Sequence, residues 1–298
     1  PIESAMHIIK RLLALALPVS LSSLMLPIGA NLDLLIVPQR LEAAGFDVRH
    51  ATELFGYLTG MAVPLVNLAA IFTASMTISL VPSISESRAL NDFKAITEKI
   101  RIAFRVAMII TFPCFMGLFF LAEKVAALIY NAPGAAGAIQ TMSIGILFLG
   151  MHQISTGILQ GLGKTAIPVI NMLFACAVKV IMSWILTAQP ALCIKGASLA
   201  TVADFAAAAV LNMFFIYKYT GFKFSIGSLL RPLIASSIMG AAIYGVLLVT
   251  GHMGSWSILF AMIASVPTYA LALMATGGLT RDCLLYTSPS PRDYAASR

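Results

Sequence analysis

The sequence predicts an all-α membrane protein of about eight transmembrane helices, and three observations carry that reading. Of the 298 residues, 59% are hydrophobic and only 10% are charged, whereas an average soluble domain carries roughly a quarter charged residues. A soluble fold of this size has no interior large enough to hide so much apolar surface. The apolar residues gather into runs of about 20, the length that crosses roughly 30 Å of hydrocarbon at about 1.5 Å per residue. Those runs lack the period-two alternation of a membrane barrel, so strands are not expected.

Taken in order, the runs occupy residues 12–37, 57–81, 102–121, 139–161, 166–187, 197–217, 232–250 and 257–277. The first begins after Lys10 and Arg11 and carries Pro18 and Pro27; the second carries Pro64, the third Pro113, the fifth Pro168 and the eighth Pro267. Each such proline removes a backbone hydrogen bond and is expected to bend its helix, which membranes tolerate where neighbours satisfy the freed carbonyl. Prolines are also ordinarily common in membrane helices, so they do not by themselves indicate a moving machine.

The connections set the orientation. One side holds twelve cations, from Lys10 and Arg11 through Arg88, Lys94, Lys99, Arg101, Arg105, Lys164, Lys218, Lys223 and Arg231 to Arg281; the other holds four, Arg40, Arg49, Lys124 and Lys195. Lys and Arg concentrate in cytoplasmic loops, so both ends of the native segment are expected in the cytoplasm. The net charge of +7 is therefore a topology signal and implies no nucleic-acid partner. Residues 38–56 are expected to form a short interfacial helix on the outer face. Residues 83–101 are expected to form an amphipathic cytoplasmic helix with Phe93, Ile96 and Ile100 on one stripe.

The chain starts at Pro1, with no charged segment and cleavage site before the first run, so a truncated N-terminus without a signal peptide is the expectation. Residues 281–298 turn abruptly polar and Ser/Pro-rich. They are expected to be disordered and resemble translated sequencing-adapter read-through rather than native protein. Cys114, Cys176, Cys193 and Cys283 stand far apart with no Cys-x-x-Cys spacing, so no metal site, disulfide framework or cofactor is read here.

Candidate functional residues are the ionisable groups inside apolar runs, each costing a few kcal/mol unless paired or facing water. They are Asp33, Lys179 and Asp204. Lys179 and Asp204 both lie roughly 10–12 Å from the outer ends of the fifth and sixth helices by helical rise, which predicts a buried Lys179–Asp204 ion pair. That pair is either structural or a proton or ion relay. Asp33, two residues after Asn31, either faces a polar cavity or makes a local contact, such as one with Arg40. Asn67, with Thr73, Ser75, Thr77 and Ser79, gives the second helix a mildly polar lining that also suits interhelical packing. His152, Gln153 and Gln160 mark the fourth helix without a role. Phosphate-binding loops and the common hydrolase motifs are missing, and nothing resembles a catalytic domain, so no enzyme is expected.

Three stretches then resemble the polysaccharide flippases of the MOP exporter superfamily, in their stage V sporulation protein B-like branch. They are RLLALALPVSLSSLMLPIGANLDLLIVPQRL, LFGYLTGMAVPLVNLAAIFTASMTISLVPSISE and TGILQGLGKTAIPV, and the similarity runs from about residue 5 to 277. The resemblance implies a C-terminal portion, helices seven to fourteen of fourteen. Residues 1–217 would form a six-helix lobe, 218–277 two additional helices, and 278–298 the non-native tail. It implies outward movement of undecaprenyl-linked oligosaccharides or peptidoglycan precursors across the bacterial cytoplasmic membrane by alternating access. The partners implied are the lipid-linked substrate, membrane lipid and a missing N-terminal lobe of the same protein. Related flippases line their cavity with the first two helices of this lobe, which maps a substrate role onto Asn31, Asp33 and Asn67. Lipid II flippases place several arginines in that cavity, and the first two runs here hold none. The competing readings are a cation-coupled multidrug exporter of the MATE type, a membrane-embedded enzyme and a scaffold.

Overall fold

Ten α-helices follow one another in the computed structural model of the chain, which describes residues 5–224, 226–251, 254 and 256–278. Residues 281–298, the stretch that resembles adapter read-through, lie outside the described residues. The helices are α1 (Ala5–Ala43), α2 (Val48–Gly56), α3 (Val63–Ala89), α4 (Phe93–Tyr130), α5 (Ala136–Ser143), α6 (Gly145–Gly161), α7 (Ala166–Leu186), α8 (Ile194–Thr220), α9 (Ile226–Thr250) and α10 (Trp256–Ala275). No strand occurs among the described residues.

Every apolar run falls on a helix. Among the described residues, six helical stretches are long and apolar enough to cross a membrane: Val48–Ala89, Phe93–Tyr130, Ala166–Leu186, Ile194–Thr220, Leu229–Thr250 and Trp256–Ala275. The pair α5–α6, bent by 41° at its break, makes a seventh. The run 12–37 lies within the 39-residue α1, which covers roughly 58 Å at helical rise, well beyond one bilayer core. Large apolar side chains such as Leu68, Phe72, Ile181, Leu248 and Val266 point outward. In water such a surface would drive aggregation; against lipid it costs nothing.

Two connections differ from expectation. The stretch 83–101 is not a separate amphipathic helix. α3 and α4 run past the apolar region and meet at a tight turn, where Asn91 takes a left-handed conformation (φ 55°) and the Asp92 carboxylate caps α4 by accepting from the Ala95 amide at 2.9 Å. Ile96 and Ile100 are buried and Phe93 is exposed, so the proposed stripe divides. Continuing two helices and capping one satisfies more backbone groups than a detached helix needing caps at both ends. On the opposite side, α2 is the short helix expected within 38–56, but it leads without a break into α3 through a π-helical stretch, Tyr57–Ala62. Pro64 stands in the first turn of α3 and has no N–H to give the preceding turn; the wider π turn takes up that irregularity instead of a kink. The 41° bend between α5 and α6 falls beside Gly145, with no proline near it.

The packing order is a chain of neighbours. α1 lies on α7, α7 on α8, α8 on α6, and α6 on both α3 and α4; the α9–α10 hairpin lies against α4. Close approach along α6 depends on its glycines. A Cβ at Gly150 would meet Thr111 Cγ2 at 2.6 Å, one at Gly157 would meet Thr77 Cγ2 at 2.5 Å, and one at Gly161 would meet the Val81 carbonyl oxygen at 2.8 Å. Small residues at such a seam let backbones touch, which replaces the hydrophobic drive that lipid removes. Polar side chains then lock the seams. Thr73 donates to Gln153 Oε1 at 2.5 Å across α3–α6, and the Arg88 guanidinium donates to the Leu162 carbonyl at the end of the same seam. Asn171 Nδ2 of α7 donates to Asn212 Oδ1 of α8 at 2.8 Å, and Asn212 Nδ2 in turn donates to Ser155 and Thr156 of α6 at 3.1 Å each.

Gly161→Ala is expected to lower the thermal unfolding midpoint in detergent, because the new methyl meets fixed backbone; overpacking of this kind costs about 1–3 kcal/mol. Gly245→Ala, where a Cβ meets nothing within 4 Å, is expected to leave the midpoint unchanged or raise it slightly.

Candidate functional site

The three intramembrane charges come together on one cavity. It encloses about 300 Å³ and is lined by Asp33, Pro27 and Gly29 of α1, Val63 and Asn67 of α3, Met142 of α5, Met172, Cys176 and Lys179 of α7, and Thr201, Asp204 and Phe205 of α8. Helical spacing explains why each element contributes several groups. Residues 29 and 33, 172, 176 and 179, and 201, 204 and 205 are three or four apart, or adjacent on one edge, and so share one face. Asn67 is exposed at the rim.

Lys179 is held by Asp33, with Nζ to Oδ2 at 2.7 Å and both side chains largely buried. The same ammonium donates to the Gly29 carbonyl, one turn before Asp33, at 3.5 Å. The expected Lys179–Asp204 pair is therefore corrected. Asp204 lines the same cavity and lies within electrostatic range of both Lys179 and Asp33, but no ion-pair contact joins it to the ammonium, and its buried Oδ1 has no hydrogen-bond partner. Depth along the helices was a sound guide: by helical rise Asp33 is about 15 Å from the end of α1, Lys179 about 10 Å from the end of α7 and Asp204 about 15 Å from the start of α8. Rotation about the helix axis decided the partner. Lys179 faces the seam where α1 packs on α7, a neighbour that chain order does not reveal.

The remaining candidates separate. Asn67 lines the cavity. Asn31 does not: it is exposed and its Nδ2 donates to the Pro27 carbonyl of its own helix at 2.8 Å. Arg40, considered as a partner of Asp33, instead donates to the Trp184 carbonyl at 3.0 Å and stacks its guanidinium 4.4 Å from the centre of the Trp184 ring. That contact fastens the far end of α1 to α7. His152 is buried with Nδ1 unpartnered, away from the cavity. Sequence reasoning missed Gly29, Cys176 and Thr201, and also the Asn171–Asn212 clamp. The signal was helical spacing from Asp33, Lys179 and Asp204, one turn before each for Gly29, Cys176 and Thr201 and two turns away for Asn171 and Asn212.

Two carboxylates and one ammonium leave the cluster with an excess of negative charge. Burial of charge away from water is stabilised by pairing, and within the cluster the Asp204 Oδ1 is the carboxylate oxygen without a hydrogen-bond partner.

The described residues thus form an all-helical fold with helices of membrane-crossing length and a charged cavity between α1, α3, α7 and α8. The profile of the family described as Lipid II flippase MurJ matches residues 7–266, and the chain belongs to that family. Among curated proteins of Bacillus subtilis strain 168, it is 29% identical over 234 residues to the uncharacterized membrane protein YabM, covering 78% of this chain and 43% of that protein. It is 27% identical over 201 residues to stage V sporulation protein B, covering 67% and 39%, and 22% identical over 199 residues to lipid II flippase MurJ, covering 64% and 36%. The chain thus spans under half the length of the curated relatives it matches. Among solved structures, lipid II flippase MurJ in an inward closed conformation shares the fold with TM-score 0.57 at 15% identity, over 76% of this chain and 52% of that one.

The electrostatics order the effects of substitution. Lys179→Met leaves two carboxylates sharing a buried site, whereas Asp33→Asn leaves the ammonium within range of Asp204. Both are expected to lower the thermal unfolding midpoint in detergent, Lys179→Met the more, toward the roughly 3–5 kcal/mol typical of a broken buried pair. The double variant is expected to recover part of that loss. A double variant as damaged as the sum of the singles would show that the pair is not coupled.

Proposed function

We propose that the chain is the second lobe, residues 1–217, and two additional helices, residues 218–277, of a flippase. The flippase moves undecaprenyl-linked oligosaccharides or peptidoglycan precursors from the inner to the outer leaflet by alternating access. Membership of the MurJ family supports a flippase, and the likeness to stage V sporulation protein B supports the sporulation-related branch. The observation that carries the reading is the cavity holding Asp33, Lys179 and Asp204, with Asn67 at its rim. In this reading a missing N-terminal lobe closes the open side, and the chain sits in the bacterial cytoplasmic membrane with both native ends in the cytoplasm. Substrate passage requires α1 to move against α7, and the Lys179–Asp33 bridge is the contact that resists it. Loading of the cavity by a cation or proton at Asp204 changes the balance of charge on Lys179 and so couples an ion gradient to that movement.

A second reading, a cation-coupled multidrug exporter of the MATE type, draws on the same unpartnered Asp204 oxygen. The two readings separate by cargo. With the full-length gene rebuilt, the flippase reading expects outward transfer of a labelled lipid-linked sugar in a depletion strain, and Asp33→Asn at normal expression is expected to slow it at least about tenfold, equivalent to about 1.4 kcal/mol. Unchanged transfer in Asp33→Asn removes the cavity role. Absence of lipid-linked transfer together with drug efflux by the unaltered protein favours the exporter.

A further inference from the structure

A second cavity, of about 330 Å³, lies far from the charged cluster, between the first half of α4, the loop that follows α8 and the first turn of α9. Four cations face it: Arg101 and Arg105 of α4, Lys223 of the loop and Arg231 of α9. Its floor is a nest of three aromatic rings. Phe104 stacks on Phe222 at 6.3 Å between centroids and meets Phe224 edge-on at 5.4 Å, and Phe222 meets Phe224 edge-on at 6.4 Å. Phe104 and Phe222 are buried, so the floor is rigid. The loop is shaped for it: Gly221 takes the left-handed conformation (φ 69°) that ends α8, and the Thr220 hydroxyl accepts from the Phe222 amide at 3.2 Å.

The charges are unbalanced. Among the described residues, the carboxylate in ion-pair contact with this group is Glu98, on Arg101. Arg231 spends one nitrogen on the Gly277 carbonyl at 2.9 Å, which anchors its guanidinium against the end of α10 and leaves the rest of the fork available. Three arginines around one hollow suit a phosphate, which guanidinium binds with two parallel hydrogen bonds. An apolar track begins beside it. Leu230, Ile234 and Ile238 are exposed along α9 at four-residue spacing, one stripe running from the pocket toward the middle of the membrane. A basic hollow at a helix-end level with an apolar stripe leading inward fits a molecule with an anionic head and acyl tails.

We infer that this cavity is a binding site for the headgroup of an anionic phospholipid, whose phosphate is held by Arg101, Arg105, Lys223 and Arg231 and whose chains lie along α9. The lipid would bridge α4 to the α9–α10 hairpin. The site lies on the side that carries most of the loop cations, and it stands independently of the transported substrate.

The test uses the 298-residue chain purified in detergent, with native mass spectrometry titrations of phosphatidylglycerol, phosphatidylcholine and undecaprenyl diphosphate. Phosphatidylglycerol is expected to fill one site that phosphatidylcholine does not. Arg105→Gln with Arg231→Gln is expected to weaken it by about 25-fold, at about fivefold per cation removed. Lys94→Gln, a cation outside the pocket on the same side, is expected to leave the affinity unchanged. If the double variant does not fold, Lys223→Gln in the loop serves in its place, with a loss of about fivefold. Equal binding of phosphatidylcholine, or phosphatidylglycerol affinity unmoved by the pocket variants, overturns the site. So does undecaprenyl diphosphate binding that the variants abolish while phosphatidylglycerol binding persists, which assigns the pocket to the lipid-linked substrate instead.

Discussion

The cavity is organised by a single ion pair under a single constraint. Hydrocarbon offers no water to solvate an ammonium or a carboxylate, so Lys179 is tolerable in α7 because Asp33 stands 2.7 Å away on α1. That bridge holds the outermost helix of the packing chain, α1, onto the rest, with the Arg40–Trp184 contact fastening the same seam nearer the helix ends. The two contacts differ in kind. Arg40 is permanently charged and meets a carbonyl and a ring, neither of which titrates, whereas the Lys179–Asp33 bridge depends on two titratable groups both being ionised. The seam is therefore fixed at one level and responsive at another.

Elsewhere, neutral groups do most of the joining, with the Arg88 guanidinium at the end of the α3–α6 seam. The seams of α6 with α3 and α4 rest on glycines facing Thr77 and the Val81 carbonyl of α3 and Thr111 of α4, and the α6–α7–α8 junction on Asn212 reaching three partners. Such contacts are satisfied whichever ions are present, which suits a body that moves as a unit. Charged side chains gather most densely at the cavity and at the basic hollow beside α9. One sits on the seam between α1 and α7, and the other where the α9–α10 hairpin meets α4.

Much of the fold was legible because its governing pattern is one-dimensional. Runs of about 20 apolar residues have the length of a crossing, and each of the eight fell on a helix, six of these stretches, or seven with the bent α5–α6 pair, being long and apolar enough to cross among the described residues. Local irregularities were less legible. Pro64 produced a π turn, while the bend between α5 and α6 arose with no proline beside it, because neighbours decide whether a freed carbonyl is satisfied in place or by bending. The 83–101 connection misled for a related reason: its apolar stripe was real at Ile96 and Ile100, which are buried, but helix continuation and a capping aspartate used it to extend α3 and α4.

The sequence by itself determined the solvent, the positions of the long apolar helices and the identity of the rare charged groups, since composition and run length report directly on transfer into hydrocarbon. It also placed Lys179 and Asp204 at similar depth, since rise per residue is fixed. Tertiary structure alone decided which carboxylate Lys179 would meet, that Asn31 would turn back on its own helix, and that Arg101, Arg105, Lys223 and Arg231 would surround one hollow. Those outcomes depend on how each helix is rotated and which helix lies beside it, and both are set by packing among residues far apart in the chain.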